Sequence, residues 1–286
     1  MEDALRDRLA GLGTIASVRP QGGGDFATAY AVVLDDGRRV FAKTHRNPPP
    51  GFFGTEAAGL RWLADADAVD VPEVLVVADD EPACLVLEWI GPGGRRTPAT
   101  ERAFGAQLAA LHRSGAASFG REDRRTTGSL ALPNDPADTW AEFYAGRRLL
   151  PLAQLAADRH ALSDSAVDGV ERIADRLGEF GAADEPPARL HGDLWAGNRL
   201  IDPACRSWVI DPAAHGGHRE FDLAMMRLFG GFGSEAFVAY HESFALAPGW
   251  EQRIDLHQLA PLIVHAIKFG GGYRGAVEAA LSRLGA

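Results

Sequence analysis

His191-Gly192-Asp193-Leu194-Trp195-Ala196-Gly197-Asn198, followed by the apolar run Trp208-Val209-Ile210 and then Asp211, is the stretch on which the reading of this chain turns. Phosphoryl transfer from ATP needs few parts. A carboxylate accepts or orients the proton of the attacking hydroxyl, oxygen ligands hold a metal on the phosphates, and a cation steadies them. Asp193 is the candidate base. Asn198, from the same loop, and Asp211, at the end of a strand, are the candidate magnesium ligands. ATP and Mg2+ are therefore the expected cofactors. A lone His-Gly-Asp is usually a turn, and a lone strand-terminal Asp is usually a cap. The joint arrangement is what carries weight.

A second cluster lies upstream. Val40-Phe41-Ala42-Lys43 resembles the strand tetrapeptide that carries a kinase's phosphate-binding lysine. Glu56 sits on the following helix, where an ion-pair partner for Lys43 belongs. By itself Lys43 reads as a solvated strand residue, and Glu56 as a residue that favours a helix N-terminus. The downstream loop makes the functional reading the stronger one. Gly22, Gly23 and Gly24 precede the hairpin, where backbone amides without an intervening Cβ can approach phosphates. Leu87-Glu88-Trp89-Ile90 closes the last strand of this region. Backbone groups of Glu88 and Ile90 suit an adenine edge, and the sequence leaves open which donates and which accepts. Phe41 shares the strand face of Lys43, beside the adenine or in plain core.

Working outward, Thr28 to Leu34 and Arg39 to Thr44 read as a hairpin around the turn Asp35-Asp36-Gly37. Thr55 is the expected cap of a helix running through Leu63. Val74 to Val77 and Cys84 to Trp89 read as two further strands. Gly91-Pro92-Gly93-Gly94 is a flexible connector and the expected boundary between an N-terminal nucleotide-binding lobe, 1–90, and a C-terminal catalytic and substrate-binding lobe, 91–286. Thr97 caps and Pro98 starts a helix burying Phe104, Leu108 and Leu111. Val167, Val170, Ile173, Leu177 and Phe180 predict a helix from about Ser165 to Phe180.

Of the 286 residues 46% are hydrophobic, and the charge balance of 29 basic and 39 acidic residues gives a formal net charge of −10. That balance argues against nucleic acid as a partner, because phosphate backbones need a basic field. Cys84 and Cys205 both stand in apolar runs and read as buried thiols of a reducing compartment. The acidic start without an apolar segment and the absence of a bilayer-length apolar run point to a cytoplasmic protein with no membrane contact. A monomer is expected.

With these residues assembled, the chain resembles the fructosamine kinase family, related to aminoglycoside and choline kinases and more distantly to protein kinases. The resemblance covers nearly the whole chain: the glycine run, Val40 to Lys43, His191 to Asn198, Asp211-Pro212-Ala213, Gly217 to Met225, Leu228 to Phe232, Phe269-Gly270-Gly271-Gly272-Tyr273 and, more loosely, Trp140 to Leu149. It implies an α+β, protein-kinase-like two-lobed fold with a small β-rich N-terminal lobe and a larger, mainly helical C-terminal lobe. The implied activity is ATP-dependent phosphorylation of a sugar hydroxyl on a ketoamine, at the 3-position, which makes the adduct unstable and releases the amine. Bacterial relatives are thought to prefer ribulosamines or erythrulosamines to fructosamines.

By the same resemblance Asp193 is the base, Asn198 and Asp211 hold magnesium, and Lys43 with Glu56 sets the phosphates. Trp195 is the candidate sugar platform, an indole face over apolar sugar C–H surface. His218 and Glu220, with Arg219 between them, are placed on the acceptor side or as braces of the loop, and His215 lies in the acceptor pocket where relatives often carry tyrosine. His191 is expected to organise the loop. Asp222 is expected to cap the following helix and to tie down catalytic-loop amides. Asp25 stands where some relatives carry a cysteine, so no redox switch is expected there. The rivals are an aminoglycoside or other amino-alcohol phosphotransferase, a nucleotide-binding pseudokinase, and a metal-dependent hydrolase built from His191, Asp193 and His218. The pseudokinase is disfavoured by the full set of base, lysine and metal ligands, and the hydrolase by poor ligand spacing.

Overall fold

The hairpin expected around Asp35-Asp36-Gly37 forms the middle of a five-stranded sheet. In the computed structural model, which describes residues 2–22, 27–121, 126–127 and 130–286, its strands are β1 (Ile15–Gln21), β2 (Thr28–Leu34), β3 (Arg39–His45), β4 (Val74–Ala78) and β5 (Ala83–Glu88). They lie in the order β1-β2-β3-β5-β4, every neighbouring pair antiparallel. Alternation along β3 divides the two faces. Val40 and Ala42 join Leu5 and Leu9 of α1 (Glu2–Leu9) in one buried cluster. Phe41 packs against the other, built on Phe53, Ala57 and Leu60 of α2 (Phe52–Ala64). Lys43, two residues beyond Phe41, therefore faces α2.

The start of α2 departs from expectation. Thr55 does not cap it. The helix begins at Phe52 after Gly51, which is left-handed at φ 72° and has no side chain to offer. The Asp79 carboxylate, from the β4–β5 turn, accepts from the amides of Phe53 (2.8 Å) and Gly54 (3.1 Å) instead. A carboxylate there also complements the helix dipole. The cap comes from 26 residues away, so no local spacing announces it.

Residues 89–97 carry neither helix nor strand, and α3 (Pro98–Arg113) follows. Thr97 caps α3 as expected, in a reciprocal box with Thr100. The connector is not slack throughout. The Gly94 amide donates to the Ile201 carbonyl at 3.0 Å, and a Cβ on Gly94 would stand 2.1 Å from the Asp202 carbonyl oxygen. Only glycine permits that approach.

The remainder is mainly helical. Two short strands, β6 (Thr126–Thr127) and β7 (Leu132–Pro133), precede α4 (Trp140–Tyr144), which runs through a π turn (Ala145–Leu149) into α5 (Leu150–Asp158). The predicted Ser165 to Phe180 helix is α6 (Asp164–Asp175), capped by Ser163, then a separate 3-10 turn, Leu177–Phe180. Val170, Ile173 and Leu177 are buried as their spacing demanded, but α6 stops at Arg176, two residues before the poor helix former Gly178. Four tiny strands follow: β8 (Ala188–Leu190), β9 (Arg199–Ile201), β10 (Ser207–Val209) and β11 (His215–Gly217), pairing β8 with β11 and β9 with β10. Helices α7 (Glu220–Leu228), α8 (Ser234–Ser243), α9 (Ile254–Phe269) and α10 (Gly272–Arg283) close the chain. Their apolar faces join α3 to α8 and α9 to α5, α7 and α10. Cys84 is buried as expected, whereas Cys205 is exposed in the β9–β10 turn, at φ 64°. Among the described residues no helix is long and apolar enough to cross a membrane.

Candidate active site

The paired strands β8/β11 and β9/β10 present two loops side by side. Residues 191–198 join β8 to β9, and residues 210–214 join β10 to β11. The Ile210 amide donates to the Asn198 carbonyl at 3.0 Å, fixing one loop against the other. Gly192 has φ +81°, and a Cβ there would lie 2.2 Å from the Ala213 carbonyl oxygen. The glycine of His-Gly-Asp is thus required by the close passage of the second loop.

Asp222, fully buried in the first turn of α7, holds the first loop from beneath. Its Oδ2 accepts from the His191 amide at 2.8 Å and its Oδ1 from the Gly192 amide at 2.9 Å. His112 of α3 reaches the same carboxylate at 3.2 Å and is itself bonded to the Tyr240 hydroxyl at 2.8 Å. Burial opposes ionisation, but His112 and the loop groups outweigh it and hold the Asp222 carboxyl below its usual range. The expected tie to the loop amides is present. Asp222 does not cap α7, because Arg219 occupies the cap position and the carboxylate points to the loop.

His191 is also fully buried, and burial lowers its pKa. Its Nδ1 accepts from the Asp193 amide at 3.2 Å, and its Nε2 donates to the Ile210 carbonyl at 2.9 Å. That pattern is the neutral imidazole with the proton on Nε2. Asp193 is half-buried. The Asn198 side-chain amide donates to its Oδ2 at 3.1 Å and to its carbonyl at 2.8 Å. Burial pushes the Asp193 carboxyl up to about 6, with the Asn198 hydrogen bond working against the shift. Asn198 spends its Nδ2 on Asp193, so Oδ1 is the atom it has for a cation.

From the sheet, Lys43 reaches across to this group. Its Nζ lies 2.7 Å from Glu56 Oε1 on α2 and also contacts Asp211 Oδ1. Burial alone would lower the ammonium's pKa, and the two carboxylates outweigh it, so Lys43 stays cationic. Asp211 sits at φ +55°, a left-handed conformation uncommon outside glycine, asparagine and aspartate. The structure therefore brings Lys43, Glu56 and Asp211 into one charged cluster. Asp211 Oδ and Asn198 Oδ1 are hard oxygen donors on adjacent loops, a donor set that suits a small divalent cation.

Trp195 is 40% exposed, with its indole laid against Gly197 and the Phe229 ring edge-on at 6.2 Å. Phe41 is half-buried on the Lys43 face of the sheet. Glu88 ends β5 half-buried, Trp89 is half-buried and Ile90 buried. Gly22 follows β1 with open space around it, whereas Gly23, Gly24 and Asp25 lie outside the described residues.

His215, read as an acceptor-pocket residue, and His218 and Glu220, read as acceptor-side residues or as braces of the loop, are all buried. His215, on β11, is packed between Phe143 and Phe221 and donates from Nδ1 to the Ala213 carbonyl at 2.8 Å. Burial drives its pKa down to about 3. His218 donates from Nε2 to the Ala182 carbonyl at 2.9 Å, and burial takes it to about 4. Glu220 binds Arg253 through both oxygens, at 2.8 and 2.6 Å. Burial would raise its carboxyl, but the Arg253 and His257 contacts bring it down to about 2. His218 and Glu220 are held by Ala182 and Arg253, 36 and 33 residues away, which the Gly-His-Arg-Glu motif could not reveal.

The hydrolase reading is not supported by the packing. Among the described residues, the group of three or more His, Cys, Asp or Glu side chains whose ligand atoms converge within 4.8 Å is His218, Glu220 and His257, without His191 or Asp193. In that trio Glu220 is already spent on Arg253 and His218 on Ala182.

Sequence reading also missed a support next to Asn198. Arg199 is buried, paired with Glu101 of α3 at 2.7 Å and hydrogen-bonded to Ser207 at 2.9 Å. Glu101 in turn accepts from the Gly233 amide at 2.8 Å. The one signal was an acidic residue, Glu101, three positions before Phe104 on the buried side of α3.

Comparison with known proteins identifies the family and the fold. The fructosamine kinase family profile matches residues 3–286. The chain is 34% identical to a protein of Lactiplantibacillus plantarum assigned as a ketoamine kinase, over 92% of each chain. It is 32% identical to the chloroplastic protein-ribulosamine 3-kinase of Arabidopsis thaliana, covering 96% of this chain and 85% of that one. A crystal structure from Thermobifida fusca, assigned as a fructosamine-3-kinase, superposes with a TM-score of 0.89 at 42% identity over 99% of both chains. An aminoglycoside phosphotransferase shares the fold alone, with a TM-score of 0.66 and 16% identity over 99% of both chains. The fold is thus the two-lobed, protein-kinase-like one, and the chain belongs to the fructosamine kinase family.

Proposed function

We propose that the chain transfers the γ-phosphoryl group of ATP to a sugar hydroxyl of a ketoamine, with Asp193 as the base. The observation that carries this reading is the convergence of Lys43, Glu56 and Asp211 beside the Asp193–Asn198 pair in a chain matched to its family from end to end. Asp193 takes the proton of the sugar hydroxyl. The freed oxygen forms a bond to the γ-phosphorus as the bond to the ADP oxygen breaks. Lys43, aimed by Glu56, steadies the α- and β-phosphates. Asn198 Oδ1 and the Asp211 carboxylate would hold Mg2+, which supplies charge neutralisation on the phosphates.

At the end of β5 the Glu88 amide is already donated to the Glu73 carbonyl at 2.9 Å. The Glu88 carbonyl and the Ile90 amide are then the acceptor and donor for adenine. The exposed face of Trp195 carries the sugar. Residues 1–90 act as the nucleotide-binding lobe and 91–286 as the catalytic and substrate lobe, working as a cytoplasmic monomer.

The test is magnesium–ATP turnover across ribulosamines, erythrulosamines, fructosamines and aminoglycosides, with Asp193→Asn as the blank. Turnover of at least one ketoamine is expected, falling by roughly 10²- to 10⁴-fold in the variant while ATP binding persists. Turnover of aminoglycosides alone would reject the substrate class, and full activity in Asp193→Asn would reject the base.

A further inference from the structure

Trp195 is the first of a row of rings. Phe229, at the end of α7, stands 6.2 Å from it. His265 of α9 lies 5.0 Å beyond Phe229, and Phe269 and Tyr273 lie 5.5 and 5.0 Å beyond His265. Phe229 and Phe269 are 39% and 52% exposed, together with Trp195 three of the five large apolar side chains most open to solvent among the described residues. Scattered exposed apolar residues need no explanation, but a connected set does. This one starts two residues from Asp193. At its far end the Lys268 ammonium lies 5.1 Å from the Phe269 ring.

A ketoamine has two ends. With its sugar hydroxyl at Asp193 and its sugar on Trp195, the amine carrier must leave along some surface, and the ring row is continuous with that position. A carrier amine presents an apolar stem and, when protonated, a cation, and aromatic faces attract both. We propose that Phe229, Phe269 and Tyr273 form a carrier subsite that selects ketoamines whose amine bears an aromatic or long alkyl group. This proposal rests on the ketoamine reading of the site. Because the row is open to solvent, the same surface accepts a carrier that continues into a peptide, such as the stem of a glycated lysine.

The experiment compares N-benzyl- with N-methyl-ribulosamine as acceptors, reading the ratio of their kcat/KM values in each protein. The expected ratio is about tenfold or more in the unaltered chain, collapsing to below about threefold in Phe269→Ala combined with Phe229→Ala. Val238→Ser, at a 43% exposed site on α8, is the control and keeps the unaltered ratio. Phe229 and Phe269 are solvent-facing, so their truncation empties no core. If both adducts turn over with a ratio near one, or if the double variant retains the full ratio, the subsite is wrong while the ketoamine reading stands. If neither adduct turns over in the unaltered chain while a fructosamine or erythrulosamine does, the subsite is wrong and the ketoamine reading stands; if no ketoamine turns over, both fall.

Discussion

Asp222→Asn separates the support of the catalytic loop from the chemistry performed on it. The carboxylate accepts from the His191 and Gly192 amides at 2.8 and 2.9 Å with both oxygens, in a site with no solvent access. An asparagine of the same shape has one oxygen and one NH2. Whichever way it is turned, one loop amide then faces another donor. A buried donor without a partner costs about 1–3 kcal/mol, and losing the charge on the remaining hydrogen bond costs about 1 kcal/mol more. Removing the charge brings no compensating relief, because the folded state holds Asp222 ionised despite its burial. The expected loss is therefore about 2–4 kcal/mol, read from denaturant midpoints at unchanged slope. The same variant misplaces Asp193, and a shift on the order of 1 Å can cost about 100-fold in turnover. We expect kcat to fall by about 10- to 100-fold while the KM for ATP stays within about threefold. A variant with unaltered midpoint and unaltered kcat would refute the assignment. Unaltered stability with activity abolished would instead make Asp222 a group that touches substrate or metal.

Lys43→Met removes the cation that Glu56 and Asp211 share, and should destabilise the fold by about 3–5 kcal/mol. Adding Glu56→Gln should restore part of that loss, as a double-mutant cycle by chemical denaturation will read. Strict additivity would argue that the Lys43–Glu56 contact is incidental. Stability should also be acid-sensitive. His215 and His218 have folded pKa values of about 3 and 4 against an ordinary 6.5, so the unfolded chain binds more protons as pH falls below about 6.5. Stability is lost from there downward, by up to about 1.4 kcal/mol per pH unit for each histidine, while Asp193, raised to about 6 in the fold, offsets one of them below that pH. Glu220, folded at about 2 against 4.5, contributes stability above about 4.5 that is lost as pH falls further towards 2. Thermal midpoints measured from pH 8 to 4 should be level above pH 7 and drop below 6.5, and a flat profile to pH 5 would contradict the buried neutral histidines.

The parts that were legible in the sequence are those whose cause is local. The hairpin, the Thr97 cap and the buried faces of α3 and α6 follow from turn chemistry and periodicity within a few residues. Lys43 and Glu56 were legible as a pair because a strand and the next helix set their relative position. What was not legible depends on partners far along the chain. Asp79 caps α2 from 26 residues away, so Thr55 looked like the better candidate. Glu220 meets Arg253 33 residues on, and Glu101 meets Arg199 98 residues on. A motif gives the identity of a polar residue but not the direction it faces, and His215, His218 and Glu220 turned inward. Cys205 misled for the complementary reason: it was read as part of an apolar run, but it stands between Ala204 and Arg206 in an exposed turn, at φ 64°.

His191 has a further consequence for how the site tolerates motion. One imidazole accepts from the Asp193 amide and donates to the carbonyl just before Asp211. The ring is a rigid strut with a fixed span, pinned at both ends to the two loops that carry Asp193 and Asp211. Thermal displacement of either loop is passed to the other in the same direction. Fluctuations then translate the pair as a unit while the gap between Asp193 and Asp211 changes little. The alignment of the two carboxylates is thereby kept by one side chain rather than by the stiffness of either loop.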